Sequence, residues 1–295
     1  MVISFNGLGN EGRLGNQMFQ YAFLRGVAAN INSDWIIPPE DAQRYDNYGL
    51  YDCFVLKNCE EKNRGESNFN DHVYREMHFN ESVFNWNQGD VNFSGNFQSE
   101  RYFENIIEQI REDFTFNDDY LKPCQEYINS IGGRDENIFL HVRRGSPNLT
   151  GRRGEKWSYQ MIQEYHPLCK KDYYLKALEH FPDKKVIVVS DTIDWCKEQD
   201  WLQDDRFLFS DSSYETFGDG ASVPYIDLCL MSLCGGAIIA NSSLSWWGAW
   251  LQNNTGKVIA PDPWFGSAYA HYDMKDMIPD RWIKVYNDPT PINIE

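Results

Sequence analysis

The sequence is short of positive charge. Its 295 residues include 27 Lys and Arg against 44 Asp and Glu, for a formal charge of −17. Such a chain repels nucleic-acid phosphates and anionic membrane surfaces, which excludes general nucleic-acid binding. No apolar run approaches the roughly 20 residues that span a bilayer, so no transmembrane segment is expected. Met1 leads directly into a short apolar run without the basic start of a secretory signal, and we therefore expect a cytoplasmic protein.

Cysteine patterns that would build a metal or disulfide framework are also missing. The seven cysteines are an odd set without a C-x-x-C pair and without a histidine at metal-ligand spacing. Reduced thiols are the expected state. The hydrophobic fraction of 42% and the charged fraction of 24% are typical of a folded globular protein.

The second half of the chain alternates short β-prone runs with segments of helical length. This alternation is typical of a doubly wound α/β domain with a mainly parallel sheet. The predicted strands are Ile138 to Val142, Val186 to Val189, Phe207 to Phe209, Ala237 to Ala240 and Lys257 to Ala260. The predicted helices are Lys171 to Phe181, Thr192 to Asp200, Val223 to Leu233 and Ser243 to Gln252.

The first half opens with a β-α unit around a glycine-rich turn. The turn contains a literal G-x-G-x-x-G, which leaves two interpretations open: a dinucleotide site, or a tight turn that needs positive φ. Gly132-Gly133 marks the boundary between predicted domains 1–133 and 134–295. The predicted elements of this half are strands at Val2 to Phe5 and Val91 to Phe97, and helices at Asn16 to Ala29, Arg101 to Phe114 and Asp118 to Ile131.

Polar residues follow several predicted strands, and in open α/β sheets ligands bind at this edge. Arg143 and Arg144 suit a pyrophosphate, because each guanidinium fork donates two parallel hydrogen bonds; a structural salt bridge is the alternative. His141 is either part of this site or a satisfied core histidine. Asp191 either accepts hydrogen bonds from a base or ribose, or caps the helix starting at Thr192.

A polar Asn-Ser-Ser stands at a second strand-to-helix junction. Ser242 and Ser243 offer hydroxyl groups, free backbone N–H groups and the positive end of a helix dipole to a phosphate. An ordinary helix N-cap is the alternative, because Ser and Asn are favoured at that position.

Four segments together resemble the α-1,2-fucosyltransferase family. The resemblance implies a GT-B type α/β fold, with two Rossmann-like domains facing a cleft. It implies transfer of L-fucose from GDP-fucose to the 2-hydroxyl of a terminal β-galactose with inversion, the acceptor lying on the N-terminal domain and the donor on the C-terminal domain. We expect a role in surface-polysaccharide synthesis. The four segments are Gly12 to Ala22, Ser94 to Phe103, His141 to Gly145 and Ala240 to Trp250.

The resemblance also implies roles for individual residues. Asn16 would face the donor from the N-terminal domain and is a catalytic candidate. One departure is Ser146, which replaces the acidic residue that usually follows the arginine motif and leaves acceptor choice in doubt. The donor-binding residues implied by the resemblance are His141, Arg143, Arg144, Asp191, Ser242, Ser243, Gly15 and Gln17.

Catalysis of this kind needs positive charge at the leaving phosphate and removal of a proton from the acceptor. Arg143 is the first candidate for the charge. Glu155 is a candidate general base, with a solvated ion pair to Arg152 or Arg153 as its alternative. The chain contains no Asp-x-Asp tripeptide, so neither a metal nor another cofactor is expected. A transferase for another GDP-sugar or linkage, and a non-catalytic glycan- or nucleotide-binding protein, are the competing interpretations.

Overall fold

The chain forms two compact units in a computed structural model. The first unit comprises Met1–Asp118 and Tyr272–Pro279, and the second comprises Asp119–His271 and Asp280–Glu295. The structure describes residues 1–10, 12–44, 48–145, 149–150, 156–211, 223–253 and 256–292.

These bounds differ from the expected boundary at residue 133 in two places. Helix Asp118–Ser130 belongs with the second unit, where the Cys124 thiol lies 3.9 Å from the carbonyl of Ile226. The chain later returns to the first unit, because the Asp276 carboxylate accepts from the Phe79 N–H and the Arg101 guanidinium, each at 3.0 Å.

The first unit contains a four-stranded parallel sheet in the order β2-β1-β4-β3. Helix α1 is the main element packed with it, and its residues from Gln17 to Ala28 are all buried. Phe23 of α1 stacks on Phe97 with ring centroids 3.5 Å apart. The elements are β1 Val2–Ser4, α1 Leu14–Asn30, β2 Asp34–Ile36, α2 Gly49–Cys53, β3 Asp71–Val73, β4 Val91–Ser94 and α3 Ile107–Asp113.

The prediction of one helix from Arg101 to Phe114 is wrong. The segment starts with two short 3-10 turns, Glu100–Tyr102 and Glu104–Ile106, before α3 begins. Here the backbone passes directly against α1 at Gly26, where an added Cβ would lie 2.0 Å from the Tyr102 carbonyl oxygen.

The second unit is built on a six-stranded parallel sheet in the order β12-β11-β10-β5-β8-β9. The five predicted strands are present, and β12 is an additional edge strand. A short antiparallel pair, β6 Leu149–Thr150 with β7 Lys156–Trp157, follows β5. The strands of the sheet are β5 Asn137–Val142, β8 Lys185–Ser190, β9 Phe207–Phe209, β10 Ala237–Ile238, β11 Val258–Asp262 and β12 Ile283–Tyr286. The helices are α4 Asp118–Ser130, α5 Tyr159–Tyr165, α6 Lys171–Leu178, α7 Ile193–Lys197, α8 Val223–Leu233 and α9 Ser243–Trp250.

The strand order of this sheet reverses beside β5. The chain runs from β5 outward through β8 and β9, then crosses to the other side of β5 to form β10, β11 and β12. The carboxyl ends of β5 and β10 are therefore adjacent at the switch point, where open α/β sheets leave a crevice for a ligand. In the part of the chain that the structure describes, no helix is long and apolar enough to cross a membrane.

Candidate active site

Arg143 bridges the switch point. It follows β5, and its Nη1 donates to the Asn241 carbonyl just beyond β10 at 2.8 Å. The Asn241 amide in turn donates to the Pro167 carbonyl at 2.6 Å. Two residues that are 98 apart in sequence, each just past a strand of the sheet, are thus joined where a ligand is expected.

Asp191, at the end of β8, holds the turn that carries the arginines. Its two carboxylate oxygens accept from the backbone N–H groups of Arg144 at 2.9 Å and Gly145 at 2.8 Å. Gly145 has a φ of +72°, which a side chain would oppose. The helix-cap interpretation of Asp191 is wrong, because α7 begins at Ile193 with Thr192 at its N-cap position, and both Asp191 carboxylate oxygens bond to the turn after β5.

The two adjacent arginines are held differently. The Arg144 guanidinium lies over the Trp195 ring, with 3.9 Å between its central carbon and the ring centroid. The Tyr159 hydroxyl donates to the Arg144 carbonyl. Trp195 and Tyr159 were not predicted from the sequence, because neither lies in a motif. Only the fold brings them to the arginine turn, Arg143 to Gly145.

Two neutral histidines lie beside Arg143. Burial lowers the pKa of His141 to about 4; the charge of Asp191 opposes this shift and that of Arg143 adds to it. Burial, followed by the charge of Arg143, lowers the pKa of His166 to about 3. Among the described residues, Nδ1 of each ring is buried without a hydrogen-bond partner, so His141 is not a satisfied core histidine. His166 was missed, since no motif surrounds it.

Ser242 and Ser243 stand at the start of α9, beside the end of β10. Both are partly exposed, and the Ser242 side chain makes no capping hydrogen bond. The ordinary N-cap interpretation is therefore not what the structure shows for Ser242. The hydroxyls and the first N–H groups of this eight-residue helix lie at the same sheet edge as Arg143.

The first unit holds the remaining predicted residues that the structure describes. Asn16 is partly exposed, and its side-chain oxygen accepts from the Gln98 amide at 2.8 Å, which joins two of the resemblance segments. Gln17 is fully buried; it donates to the Gly12 carbonyl and accepts from the Gly49 N–H, each at 3.1 Å. Gln17 therefore holds the turn, and its donor-binding role stays a prediction. Gly15 is buried in the first turn of α1.

The glycine-rich turn has positive φ at Gly9 and Gly12, as the tight-turn interpretation requires. Ser146 and Glu155 lie outside the described residues, as do Arg152 and Arg153. Across the described ranges, no group of three or more His, Cys, Asp or Glu side chains is placed to hold a metal ion.

A likeness to a solved structure defines the class of this fold. The structure of NodZ alpha-1,6-fucosyltransferase soaked with GDP-fucose is similar, with a TM-score of 0.51, 11% identity, and coverage of 89% of this chain and 95% of that chain. At this identity the likeness shows the fold alone. The predicted α/β fold class, GT-B type with two Rossmann-like domains, is confirmed.

The chain belongs to Glycosyl transferase family 11, which it matches over residues 3–286. The predicted family is thus confirmed, and the protein is a glycosyltransferase. It is 30% identical to an alpha-1,2-colitosyltransferase of Escherichia coli over 93% of this chain and 96% of the relative. It is 25% identical to human galactoside alpha-(1,2)-fucosyltransferase 1 over 85% of this chain and 66% of the relative.

Proposed function

We propose that this glycosyltransferase moves L-fucose from GDP-fucose to the 2-hydroxyl of a terminal β-galactose with inversion. The observation that carries the proposal is the bridge between Arg143 and Asn241 at the switch point of the second sheet. The names of the family relatives support an α-1,2 linkage. In this proposal the second unit binds the donor and the first unit binds the acceptor. A cytoplasmic location and a role in polysaccharide synthesis stay predictions.

Arg143 supplies the main chemical effect in the proposed reaction. Breaking the bond between fucose and phosphate builds negative charge on the β-phosphate, and a donor aimed there stabilises the transition state more than the ground state. The N–H groups at the start of α9, with Ser242 and Ser243, add to this field. Attack by the acceptor hydroxyl from the opposite face inverts the anomeric carbon.

The acceptor hydroxyl loses its proton late in the reaction, to a carboxylate or to the departing phosphate. Glu155 stays the carboxylate candidate in this proposal, and Asn16 stays a candidate from the first unit. We also propose that neither a divalent metal nor another cofactor takes part, because Arg143, Arg144 and the helix start bring positive charge to the pyrophosphate.

A second candidate donor is the GDP derivative of colitose, which is fucose without the 3-hydroxyl. The alpha-1,2-colitosyltransferase relative favours it. Incubation with each donor and a panel of β-galactosides, followed by NMR assignment of the new bond, separates the two candidates. An α-1,2-fucosylated product supports the proposal. Transfer of colitose alone, another linkage, or binding without turnover would replace it with the corresponding alternative.

A further inference from the structure

We propose that His166 binds one hydroxyl of the transferred sugar and thereby selects the donor. The inference rests on the proposed function and adds to it a residue that determines sugar specificity. No sequence motif singled out this residue, and the structure brings it to the donor site.

The position of His166 is fixed relative to Arg143 by hydrogen bonds. Its N–H donates to the Ile162 carbonyl at the end of α5 at 2.8 Å. The next residue, Pro167, accepts from the amide of Asn241, and Asn241 accepts from Arg143. Two hydrogen bonds therefore connect the backbone beside His166 to the guanidinium that is proposed to bind the pyrophosphate.

The segment after His166 is also hydrogen-bonded to Asn287, the residue that follows β12. The Asn287 amide donates to the Leu168 carbonyl at 3.1 Å, and its oxygen accepts from the Lys170 N–H at 2.9 Å. A backbone segment held in place by these hydrogen bonds is suited to presenting a side chain for substrate selection, since recognition needs a fixed geometry.

Aromatic rings surround the imidazole. The Phe265 centroid lies 5.4 Å from that of His166, and the Tyr269 centroid lies 6.3 Å away. Both rings are partly exposed. Aromatic ring faces next to an imidazole match a 6-deoxy sugar, which carries a methyl group beside its ring hydroxyls.

The state of the imidazole identifies the kind of group it binds. Its Nδ1 is buried without a hydrogen-bond partner among the described residues, and an unpaired buried polar atom costs free energy. The pKa of His166, lowered to about 3, keeps the ring neutral. A neutral imidazole offers one donor and one acceptor, as a hydroxyl does. The sugar is bonded directly to the pyrophosphate, so its hydroxyls lie next to the Arg143 site.

Deoxygenated donors test this contact. We would measure kcat/KM for GDP-fucose and its 2-deoxy, 3-deoxy and 4-deoxy analogues, the 3-deoxy compound being GDP-colitose. For the wild type we expect one analogue to lose about 100-fold or more, because removing its hydroxyl leaves the imidazole without its hydrogen bond in the enzyme–donor complex. In His166→Phe, which keeps a ring against Phe265 and Tyr269, that penalty should shrink to within about threefold while the other two stay unchanged.

His180→Phe is the matched control, because His180 precedes β8 and so lies at the opposite edge of the sheet. It should leave the kcat/KM of each deoxy analogue relative to GDP-fucose unchanged. GDP affinity should be the same in both variants, since GDP lacks the sugar, and this measurement also reports folding. His166→Gln, which keeps a neutral donor and acceptor, should retain selection and provides the test if the Phe variant does not fold.

The outcomes separate this inference from the proposed function. If the wild type turns over GDP-fucose and all penalties persist in His166→Phe, or if selection is lost together with GDP affinity, the role of His166 is overturned while the proposed function stands. A wild type that transfers none of these sugars overturns both.

Discussion

Arg143 and Arg144 are adjacent in sequence but face different surroundings. Arg143 reaches across the switch point, whereas Arg144 lies over Trp195. We predict that Arg143→Lys loses activity as fully as Arg143→Ala, because an ammonium cannot reproduce the planar two-pronged contact with phosphate. The loss in kcat/KM should exceed about 100-fold, or roughly 2.7 kcal/mol.

Arg206→Lys is the control for this prediction, because Arg206 bonds only to the carbonyls of Phe181 and Pro182 among the hydrogen bonds described for its guanidinium. It should keep the wild-type rate. Near-normal turnover by a folded Arg143→Ala protein would remove Arg143 from the catalytic mechanism.

Asp191 is predicted to act through the turn that it holds. Asp191→Asn replaces one accepting oxygen by an NH2 group. This group is a donor, so it cannot accept from the backbone N–H of Arg144 or Gly145, and one hydrogen bond of the turn is lost. We expect kcat/KM to fall by roughly 10-fold or more, since a hydrogen bond to a charged group contributes about 1.5–3 kcal/mol. Asp194→Asn, on the exposed first turn of α7, should be silent in the same assay. Equal rates for the two variants would contradict the role given to Asp191.

Some site residues could be predicted from the sequence, and others could not. Arg143 and Asp191 were predictable, because each follows a buried apolar strand. The hydrogen bonds of Gln17 to Gly12 and Gly49 were not predicted, because they depend on how α1 packs in the folded unit. His166 and Trp195 depend on contacts between distant segments.

At the scale of elements, Gly26 allows α1 to approach the chain at Tyr102. Alanine normally favours a helix over glycine by about 1 kcal/mol. Here the added Cβ would lie 2.0 Å from the Tyr102 carbonyl oxygen and 2.7 Å from the Phe103 Cα. We therefore predict that Gly26→Ala lowers the free energy of unfolding by about 1–3 kcal/mol in urea denaturation.

Gly65→Ala is the matched control for this substitution, since no atom lies within 4 Å of its added Cβ. It should leave the unfolding midpoint nearly unchanged. A Gly26→Ala protein at least as stable as the wild type would show that α1 and Tyr102 are not in this close contact.

Strands of the second sheet were easier to predict than the elements at its edges. Buried parallel strands such as β5 and β8 are continuous apolar runs, which stand out in the sequence. Edge strand β12 is only four residues long and half exposed, so its signal is weak. The 3-10 turns at 100–106 depend on contact with α1, which local sequence does not encode.

At the scale of the whole molecule, the neutral histidines make stability depend on pH. The pKa values of His141 and His166, about 4 and about 3, lie below the ordinary value of 6.5. At pH values between these lowered pKa values and 6.5, the unfolded chain binds protons that the folded chain does not. The free energy of unfolding therefore falls as pH falls below 6.5. Each histidine contributes a slope of at most about 1.4 kcal/mol per pH unit.

Urea denaturation from pH 7.5 to 5 measures this slope. His166→Phe should flatten it by about the contribution of one proton. An identical slope in wild type and His166→Phe would contradict the neutral state assigned to His166.

The charge of −17 bears on the proposed absence of a metal. An acidic chain that binds a pyrophosphate must concentrate positive charge locally, and in the proposed mechanism Arg143, Arg144 and the start of α9 supply this charge without a cation. We predict that initial rates of fucose transfer survive exhaustive EDTA treatment and do not rise when Mg²⁺ or Mn²⁺ is added. A rate that collapses in EDTA and returns only with metal would overturn this proposal.

The position of the bound donor nucleotide tests the assigned active site most directly. A crystal structure of the protein with GDP would locate the pyrophosphate by its density. We predict that the β-phosphate lies within hydrogen-bond distance of the Arg143 guanidinium, at the carboxyl ends of β5 and β10. A pyrophosphate bound away from this edge, with Arg143 still bonded to the Asn241 carbonyl and not to phosphate, would contradict the assignment of the active site.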